Sequence, residues 1–287
     1  MNRAALQKDC LSMVLRYSSF TSDPATGNPA GVVLDASGID DREKQELAAR
    51  VGYSETAFAE PLVENQWKLR YFSPQREVTF CGHATLATAV AVAETGGEDS
   101  MAFHTLAGTI SVTTEQRSDG IYARIEAPAG LSRPATPHQL EKLLTQLYWQ
   151  RDDLDDDLPA HIANAGNNHF VLAANSRARL AELDYNFDGL KQLMQDEDWI
   201  SIQIIWKESD DLYHSRNPFP VGGVIEDPAT GAAAAAFGYY LYELGEVPTP
   251  RRISIIQGED MGRRSLIEVD ISPDRKVTIA GTAVRLM

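Results

Sequence analysis

Thr79–Thr95, TFCGHATLATAVAVAET, and Thr230–Leu244, TGAAAAAFGYYLYEL, are the two stretches that decide the fold. Both are rich in small apolar side chains and carry almost no charge on any face of the helix that each would form. A helix that is apolar all round is buried. A sheet can pack closely around such a helix only where the helix side chains are small. We therefore predict two buried central helices, one in each half of the chain.

Short strand patterns precede and follow the first central helix. The segments MVLRYSSF and AGVVL flank TSDPATGNP, whose residues favour a turn, so a hairpin is predicted over Met13–Leu34. A short amphipathic helix is predicted over Asp40–Val51, because acidic residues open it and Gly52 follows it. The other predicted strands of this half are Glu55–Ala59, Trp67–Phe72, Phe103–Val112 and Ile121–Glu126.

The second half repeats this plan. Strands are predicted over His169–Ala173 and Ile200–Trp206, followed by an Asp-Pro turn and the second central helix. The span from Pro128 to Asp157, rich in Pro and Asp, predicts the boundary between two lobes. We expect an N-terminal lobe of residues 1–127, to which a C-terminal strand over 277–287 returns, and a C-terminal lobe of residues 128–276.

The predicted fold class is α+β, with two pseudo-symmetric lobes that each wrap a mostly antiparallel sheet around a central buried helix. The pentapeptide DPATG occurs at Asp23–Gly27 and Asp227–Gly231, but the first copy lies in a hairpin turn and the second opens a helix. The equivalent elements are instead expected to be Gly82-His83-Ala84-Thr85 and Ala229-Thr230-Gly231-Ala232, which both lead into a central helix.

Composition excludes several classes of function. The chain has 287 residues, 43% of them hydrophobic, and a formal net charge of -15. Because binding to nucleic acid or to anionic membrane surfaces depends on clustered Lys and Arg, we expect neither as a partner. The opening MNRAALQKDCLSMVL lacks the pattern of a secretory signal, and no apolar run reaches membrane-spanning length. We expect a cytoplasmic protein.

The cysteines and histidines indicate neither a disulfide framework nor a metal site. The two cysteines, Cys10 and Cys81, are far apart in sequence and in unlike settings. The six histidines have none of the spacings typical of zinc sites. We therefore expect no disulfide and no bound metal.

The starts of the two central helices predict an anion site. A helix N-terminus presents unpaired backbone N–H groups and partial positive charge, so it binds a carboxylate without any basic side chain. Gly82 and Gly231 stand at the two starts, where the absence of a side chain lets a ligand approach the backbone. We expect the ligand to bind between the lobes.

Five segments resemble, in order, the successive signatures of the phenazine biosynthesis PhzF-like family: YSETAFAEP, LRYFSP, EVTFCGHATLATAVA, EDPATGAAAAAF and QGEDMGR. Together they span nearly the whole chain. The resemblance implies the diaminopimelate epimerase-like fold, a homodimer, and a cofactor-independent isomerase that acts by proton transfer on a small carboxylate.

The resemblance also implies roles for individual residues. Glu55 corresponds to the acidic residue of the family's SET motif, expected to be the general base, and desolvation in a closed site should raise its pKa. His83 and Asp227 correspond to the histidine of the GH motif and the aspartate of EDPATG, expected to position the substrate and share protons. The residues expected to contact substrate are Asn28, Gly82, Ala84, Thr230, Gly231 and Ala232.

Two departures from the family pattern affect these expectations. Ala232 stands where known members carry Ser, so one hydroxyl contact to the substrate is missing. The segment Arg216–Pro220, RNPFP, differs from the more usual Arg-x-Phe-x-Pro. Compared with two-thiol epimerases, Cys81 aligns with the first thiol, but Thr230, a much weaker acid, stands in place of the second.

Simpler interpretations stay open beside these roles. Glu55 would be a solvated residue at a strand edge, Asp227 a helix cap, and Cys81 a small buried apolar residue. Three functions remain: an isomerase of a small amino-acid-like or cyclic unsaturated carboxylate, an epimerase or lyase on the same scaffold, and a non-catalytic protein that binds a small ligand.

Overall fold

The computed structural model describes residues 11–97, 99–245 and 250–287. The chain forms two compact units. Unit 1 consists of Met1–Glu126 and Ala280–Met287, and unit 2 consists of Ala127–Ile279. Cys10, one of the two cysteines considered above, lies outside the described residues.

Unit 1 is a sheet packed around one central helix. Its elements are β1 (Leu15–Ser19), β2 (Asn28–Val33), α1 (Asp41–Val51), β3 (Glu55–Pro61), β4 (Gln66–Phe72), β5 (Glu77–Val78), α2 (Gly82–Glu94), β6 (Ser100–Thr105), β7 (Gly108–Arg117) and β8 (Gly120–Glu126). The strand order is β1-β2-β3-β4-β6-β7-β8, with β5 paired to β4. The pairs β2–β3 and β4–β6 are parallel, and the other pairs along this order are antiparallel.

The last strand of the chain, β16 (Val277–Arg285), begins in unit 2 and ends in unit 1. Its final residues pair antiparallel with β1, so that Tyr17 lies opposite Arg285 and Ser19 opposite Ala283. The C-terminus of the chain therefore completes the sheet of unit 1.

The central helix α2 is buried along almost its whole length, from Gly82 to Val92. Most of its side chains are Ala, Val or Thr, which lets the strands approach closely. The buried hydroxyls of Thr85 and Thr88 donate to the carbonyl oxygens of Cys81 and Ala84, both at 2.7 Å. These two threonine hydroxyls are therefore satisfied within the helix itself.

Unit 2 is built on the same plan. Its elements are β9 (Leu131–Pro134), α3 (Pro137–Leu147), β10 (His161–Asn164), β11 (Asn168–Ala173), α4 (Arg177–Ala181), α5 (Phe187–Asp196), β12 (Ser201–Lys207), β13 (Leu212–Arg216), α6 (Gly231–Leu244), β14 (Arg251–Gln257) and β15 (Ser265–Ile271). The strand order is β9-β10-β11-β12-β13-β14-β15, with β11–β12 and β13–β14 parallel. A second apolar layer, formed by α3, α5 and the adjacent strands, packs around Leu190, Met194 and Trp199.

The two units repeat one topology. In each, a hairpin (β1–β2 or β10–β11) leads through an outer helix (α1 or α5) to a parallel strand, an antiparallel strand, the central helix and another parallel strand. The N-cap residues of the central helices are Cys81 and Thr230, so Gly82 matches Gly231. The segments Gly82–Thr85 and Ala229–Ala232 therefore both lead into a central helix, as predicted, with Gly82 equivalent to Gly231.

The first central helix begins at Gly82, within the predicted stretch Thr79–Thr95. Local structure differs from the sequence prediction in two places. The predicted single strand Phe103–Val112 is two strands, because a short turn between β6 and β7 interrupts it. Gly108, directly after this turn, has φ of 117°. The span from Pro128 to Asp157 contains β9 and α3, because Thr136 and Gln139 form a capping box at a helix whose first residue is proline.

Among the described residues, no helix has both the length and the apolar character needed to cross a membrane.

Candidate active site

Glu55 is the first residue of β3 and is buried, with 8% of its surface exposed. Burial raises the pKa of the Glu55 carboxyl above its ordinary value, and hydrogen bonds with Ser54 and Cys81 only partly offset that rise. Glu55 is therefore not a solvated residue at a strand edge. It is a carboxyl group that takes up a proton more readily than an exposed glutamate.

His83 is the second residue of α2 and lies beside Glu55. Its Nε2 atom is 3.5 Å from Glu55 Oε2 and 3.3 Å from Ser54 Oγ. Its Nδ1 atom is 3.3 Å from Asn28 Nδ2, at the start of β2. Burial lowers the pKa of His83 to about 3, so the ring is neutral at neutral pH. Because the Asn28 amide donates to Nδ1, the ring proton lies on Nε2, on the side of Glu55.

The backbone around His83 is held by the first strand. Ser19, the last residue of β1, donates from its hydroxyl to the carbonyl oxygen of His83 at 2.7 Å, and both groups are buried. Ser19 lies opposite Asn28 in the β1–β2 pair. The hairpin therefore positions His83 twice, once through its backbone and once through its ring.

Cys81 belongs to the same cluster. Its Sγ atom lies 3.3 Å from His83 Nδ1 and 3.8 Å from Nε2. One donor atom from each of Glu55, Cys81 and His83 lies within 4.8 Å of the other two. Cys81 is buried, as predicted, and its position at the N-cap of α2 places the thiol beside the imidazole. We call Glu55, Cys81 and His83 the unit 1 cluster.

The start of α2 adds backbone donors to this cluster. Gly82 and Ala84 are buried residues of the first helical turn. First-turn N–H groups have no partner within their own helix and carry partial positive charge. What Gly82 and Ala84 offer a ligand is therefore the main chain and not a side chain.

The predicted residues of the second half form a separate set in unit 2. Asp227 is buried in the loop before α6 and accepts a hydrogen bond from the Thr230 hydroxyl at 2.7 Å. Gln257, at the end of β14, accepts from the Thr230 amide at 3.2 Å and donates to the Asp227 carbonyl at 2.7 Å. Gly231 and Ala232 are the first two residues of α6, and both are buried. The Asp227 carboxylate thus orients the hydroxyl of the helix cap.

Other residues that hold this loop were missed by the sequence analysis. Arg216 and Glu226 form a largely buried ion pair, with Arg216 Nε donating to Glu226 Oε1 at 2.9 Å. Gln257 is fully buried, and its signal in the sequence is a single amide at the end of an apolar strand, directly before glycine. Buried polar side chains of this kind fix a loop because they need defined partners.

The QGEDMGR segment shapes a turn beside the Asp227 loop. Gly258 has φ of 74°, and a Cβ there would lie 2.7 Å from the carbonyl oxygen of Pro228. The Arg263 amide donates to the Gly258 carbonyl at 2.9 Å, and Gly262 has φ of 71°. Only glycine adopts this conformation at Gly258 while leaving room for the main chain of the loop.

The structure thus assembles two groups of predicted residues, one in each unit. Unit 1 brings together Glu55, His83, Asn28, Gly82 and Ala84, and unit 2 brings together Asp227, Thr230, Gly231 and Ala232.

The fold is shared with solved epimerase-like structures. A phenazine biosynthesis protein of the PhzF family from Bacillus anthracis is similar with a TM-score of 0.85, 26% identity and 96% of each chain covered. A probable proline racemase from Agrobacterium radiobacter has a TM-score of 0.66 over 95% of this chain and 90% of its own, at 12% identity, which shows the fold alone. The protein therefore has the α+β, diaminopimelate epimerase-like fold that the sequence predicts.

The family model described as phenazine biosynthesis-like protein matches residues 17–287. The curated protein YfhB of Bacillus subtilis, named an uncharacterized isomerase, is 31% identical over 94% of this chain and 95% of its own length. The chain belongs to the phenazine biosynthesis-like family. The names of its relatives accordingly assign the protein to the isomerases.

Proposed function

We propose that this protein is a cofactor-independent isomerase that moves a proton on a small amino-acid-like or cyclic unsaturated carboxylate, with Glu55 as the general base. One observation carries the proposal: a buried glutamate of raised pKa lies 3.5 Å from a neutral histidine at the N-terminus of a buried helix. A general base works best when its pKa lies near the working pH, and burial moves a carboxyl in that direction.

The first step would take a proton from a C–H bond adjacent to an electron-withdrawing group of the substrate. Glu55 accepts this proton and becomes neutral, which burial favours. The electron pair left on the substrate would be stabilised by the first-turn N–H groups of α2 and by hydrogen bonds from neutral side chains. Return of the proton from Glu55 to a different carbon completes the isomerisation.

His83 would assist as a neutral donor and not as an acid with a full charge. Its pKa of about 3 keeps the ring uncharged throughout the neutral range. With the proton on Nε2, the ring can donate to Glu55 or to a substrate oxygen while Asn28 fixes its orientation. Asp227, by the family resemblance, would position the same substrate and share its protons.

The proposal is tested by hydrogen–deuterium exchange at carbon. The protein is incubated in deuterium oxide with a panel of small carboxylates, and loss of C–H signals is followed by NMR. Glu55→Gln keeps the size of the side chain but removes the base, and should lose exchange by at least about 100-fold. Glu46→Gln, on the exposed face of α1, is the matched control and should exchange like the wild type. Exchange that survives Glu55→Gln would contradict the assignment.

Cys81 favours a second candidate, an epimerase or lyase on the same scaffold. Its thiol lies 3.3 Å from His83 Nδ1, so it would serve as an acid that returns a proton to the substrate in place of Glu55. The two candidates separate with Cys81→Ser in the same exchange experiment. Exchange unchanged in this variant supports the Glu55 isomerase, and exchange lost with Glu55 intact supports thiol chemistry.

A further inference from the structure

The unit 1 cluster has the composition of a transition-metal site. It combines a thiol, an imidazole and a carboxyl group, the three side-chain types that bind Zn²⁺. All three residues are buried, and one donor atom of each lies within 4.8 Å of the others. The cluster draws on β3 and on the start of α2, so the spacing rules used to search a sequence for zinc ligands do not detect it.

Two of the distances are close to those of tetrahedral coordination. With Zn–S near 2.3 Å and Zn–N or Zn–O near 2.0 Å, the edges of the tetrahedron are about 3.3 to 3.6 Å. Cys81 Sγ lies 3.8 Å from His83 Nε2, and that nitrogen lies 3.5 Å from Glu55 Oε2. Because Sγ lies nearer to Nδ1, at 3.3 Å, coordination through Nε2 requires the Cys81 side chain to rotate toward the Nε2 side of the ring. Ser54 Oγ, 3.3 Å from Nε2, borders the fourth position.

The charges also balance. A bound metal ion requires the Cys81 thiol in its deprotonated form. A thiolate and the Glu55 carboxylate supply two negative charges, which a divalent ion cancels, and a neutral imidazole adds a ligand without adding charge. Burial penalises isolated charges but not a neutralised set. Binding releases the proton of the Cys81 thiol, and also that of Glu55 when it is protonated.

A metal ligated through Nε2 leaves Nδ1 as the ring's second position, which must carry the proton. Asn28 is the amide at that position, with Nδ2 at 3.3 Å. A 180° rotation of the amide presents Oδ1 as the acceptor, which is the outer contact that metal-bound histidines usually have. Asn28 can therefore serve both the metal-free and the metal-bound ring.

We propose that Glu55, Cys81 and His83 form an inhibitory binding site for a zinc-class divalent ion. A bound ion would occupy the carboxylate oxygen that accepts the substrate proton, so metal binding and catalysis would exclude each other. The binding claim stands without the proposed function, and only its inhibitory consequence rests on it.

The test uses Co²⁺ as a spectroscopic probe on the full chain. Wild-type protein titrated with Co²⁺ should develop a thiolate-to-cobalt charge-transfer band in the near ultraviolet, and Zn²⁺ should displace it. Cys81→Ser should remove the band, whereas Cys10→Ser, which alters the other thiol of the chain, should keep it. Glu55→Gln should weaken binding by at least about 10-fold, since even outer contacts of a metal site contribute that much.

Circular dichroism and thermal unfolding of each variant show that it is folded before its spectrum is interpreted. Affinity should fall as the pH is lowered, because the ion competes with protons for the thiolate. Absence of the band in folded wild-type protein, or a band that survives Cys81→Ser, would overturn the proposal. If the band follows Cys81 but Zn²⁺ leaves carbon–deuterium exchange unchanged, the binding site stands and the inhibitory half of the proposal fails.

Discussion

At the scale of single residues, burial controls the chemistry of the unit 1 cluster. Glu55 and His83 are both desolvated, and desolvation disfavours the charged form of each. The result is a pair of groups with opposite shifts: a carboxyl whose pKa rises and an imidazole whose pKa falls. A carboxyl group with increased affinity for a proton therefore lies beside an imidazole with decreased affinity for one.

The pH dependence of carbon–deuterium exchange follows from these shifts. The rate should rise as pH increases through the pKa of Glu55, because only the carboxylate is a base, and this limb should lie above the ordinary glutamate value of about 4.3. His83 should add no limb near its ordinary value, since its pKa is about 3. Initial rates across the pH range, with a saturating substrate, measure this. A limb at or below the ordinary glutamate value would contradict the burial argument.

Stability should respond to the same residue. A group whose pKa is raised on folding favours the folded state at low pH and loses that contribution as pH rises through the folded pKa. Glu55→Gln cannot ionise, so at pH 8 it should have a higher free energy of unfolding than the wild type. Urea unfolding at a series of pH values should show this difference shrinking toward pH 4. Glu46→Gln, half exposed, should show no such trend.

At the scale of elements, the two units share one topology but place their carboxyl groups on different elements. Glu55 opens β3 and Ser201 opens β12, and these strands occupy equivalent places in the two units. Unit 1 therefore takes its carboxyl from a strand. Unit 2 takes its carboxyl, Asp227, from the loop before the central helix, where Thr230 replaces the thiol at the cap. One topology thus carries two different sets of side chains.

The central helices need small residues where strands cross them. On α6, a Cβ added at Gly238 would lie 2.8 Å from Val277 Cγ1 and 3.0 Å from Val269 Cγ1. Alanine would favour the helix by up to about 1 kcal/mol, but overpacking in a closed core costs about 1 to 3 kcal/mol. We expect Gly238→Ala to lower the free energy of unfolding.

A double-mutant cycle provides the control for this prediction. Val277→Ala removes both γ-methyl groups of Val277, which crowd this position, so Gly238→Ala should be less destabilising in the Val277→Ala background than alone. Chemical denaturation of the four proteins gives the coupling energy. If the two changes add without coupling, crowding against Val277 is not the cause.

At the scale of the whole molecule, each unit buries a neutral histidine. Burial lowers the pKa of His83 in unit 1 and of His169 in unit 2, each to about 3. A group whose pKa is lowered in this way binds protons better when unfolded, so it favours folding above its ordinary pKa and loses that contribution as pH falls. This loss of stability is expected as the pH falls from about 6.5, the ordinary pKa of histidine, to about 3, the pKa in the folded protein.

The molecule should therefore lose stability on acidification within this window, by up to about 1.4 kcal/mol per pH unit for each histidine. Urea unfolding between pH 7 and pH 4 measures the slope. His169 is hydrogen-bonded to Ser201 at 2.8 Å. His169→Gln removes this titrating group, so the slope of unfolding free energy against pH should decrease by the contribution of about one proton. A slope unchanged in folded His169→Gln would show that His169 does not contribute to the acid sensitivity.

Some features were predictable because their signal is local. All-round apolar composition marks α2 and α6, and turn residues mark the β1–β2 hairpin. The helix α3 was missed because its proline and polar start was interpreted as a boundary, although Pro137 at the first helical position is a start signal. The capping box that completes this signal depends on two side chains three residues apart, which was also available in the sequence.

The amino-acid sequence by itself determined the family, the two buried small-residue helices and the identity of the chemistry-bearing side chains, because these depend on residue type and local order. Only the tertiary structure decided how deeply Glu55 is buried and that it contacts Cys81 and His83. The physical reason is that desolvation and donor-atom distances arise when a strand and a helix distant in sequence pack together, and no local pattern encodes how deeply that packing encloses a side chain.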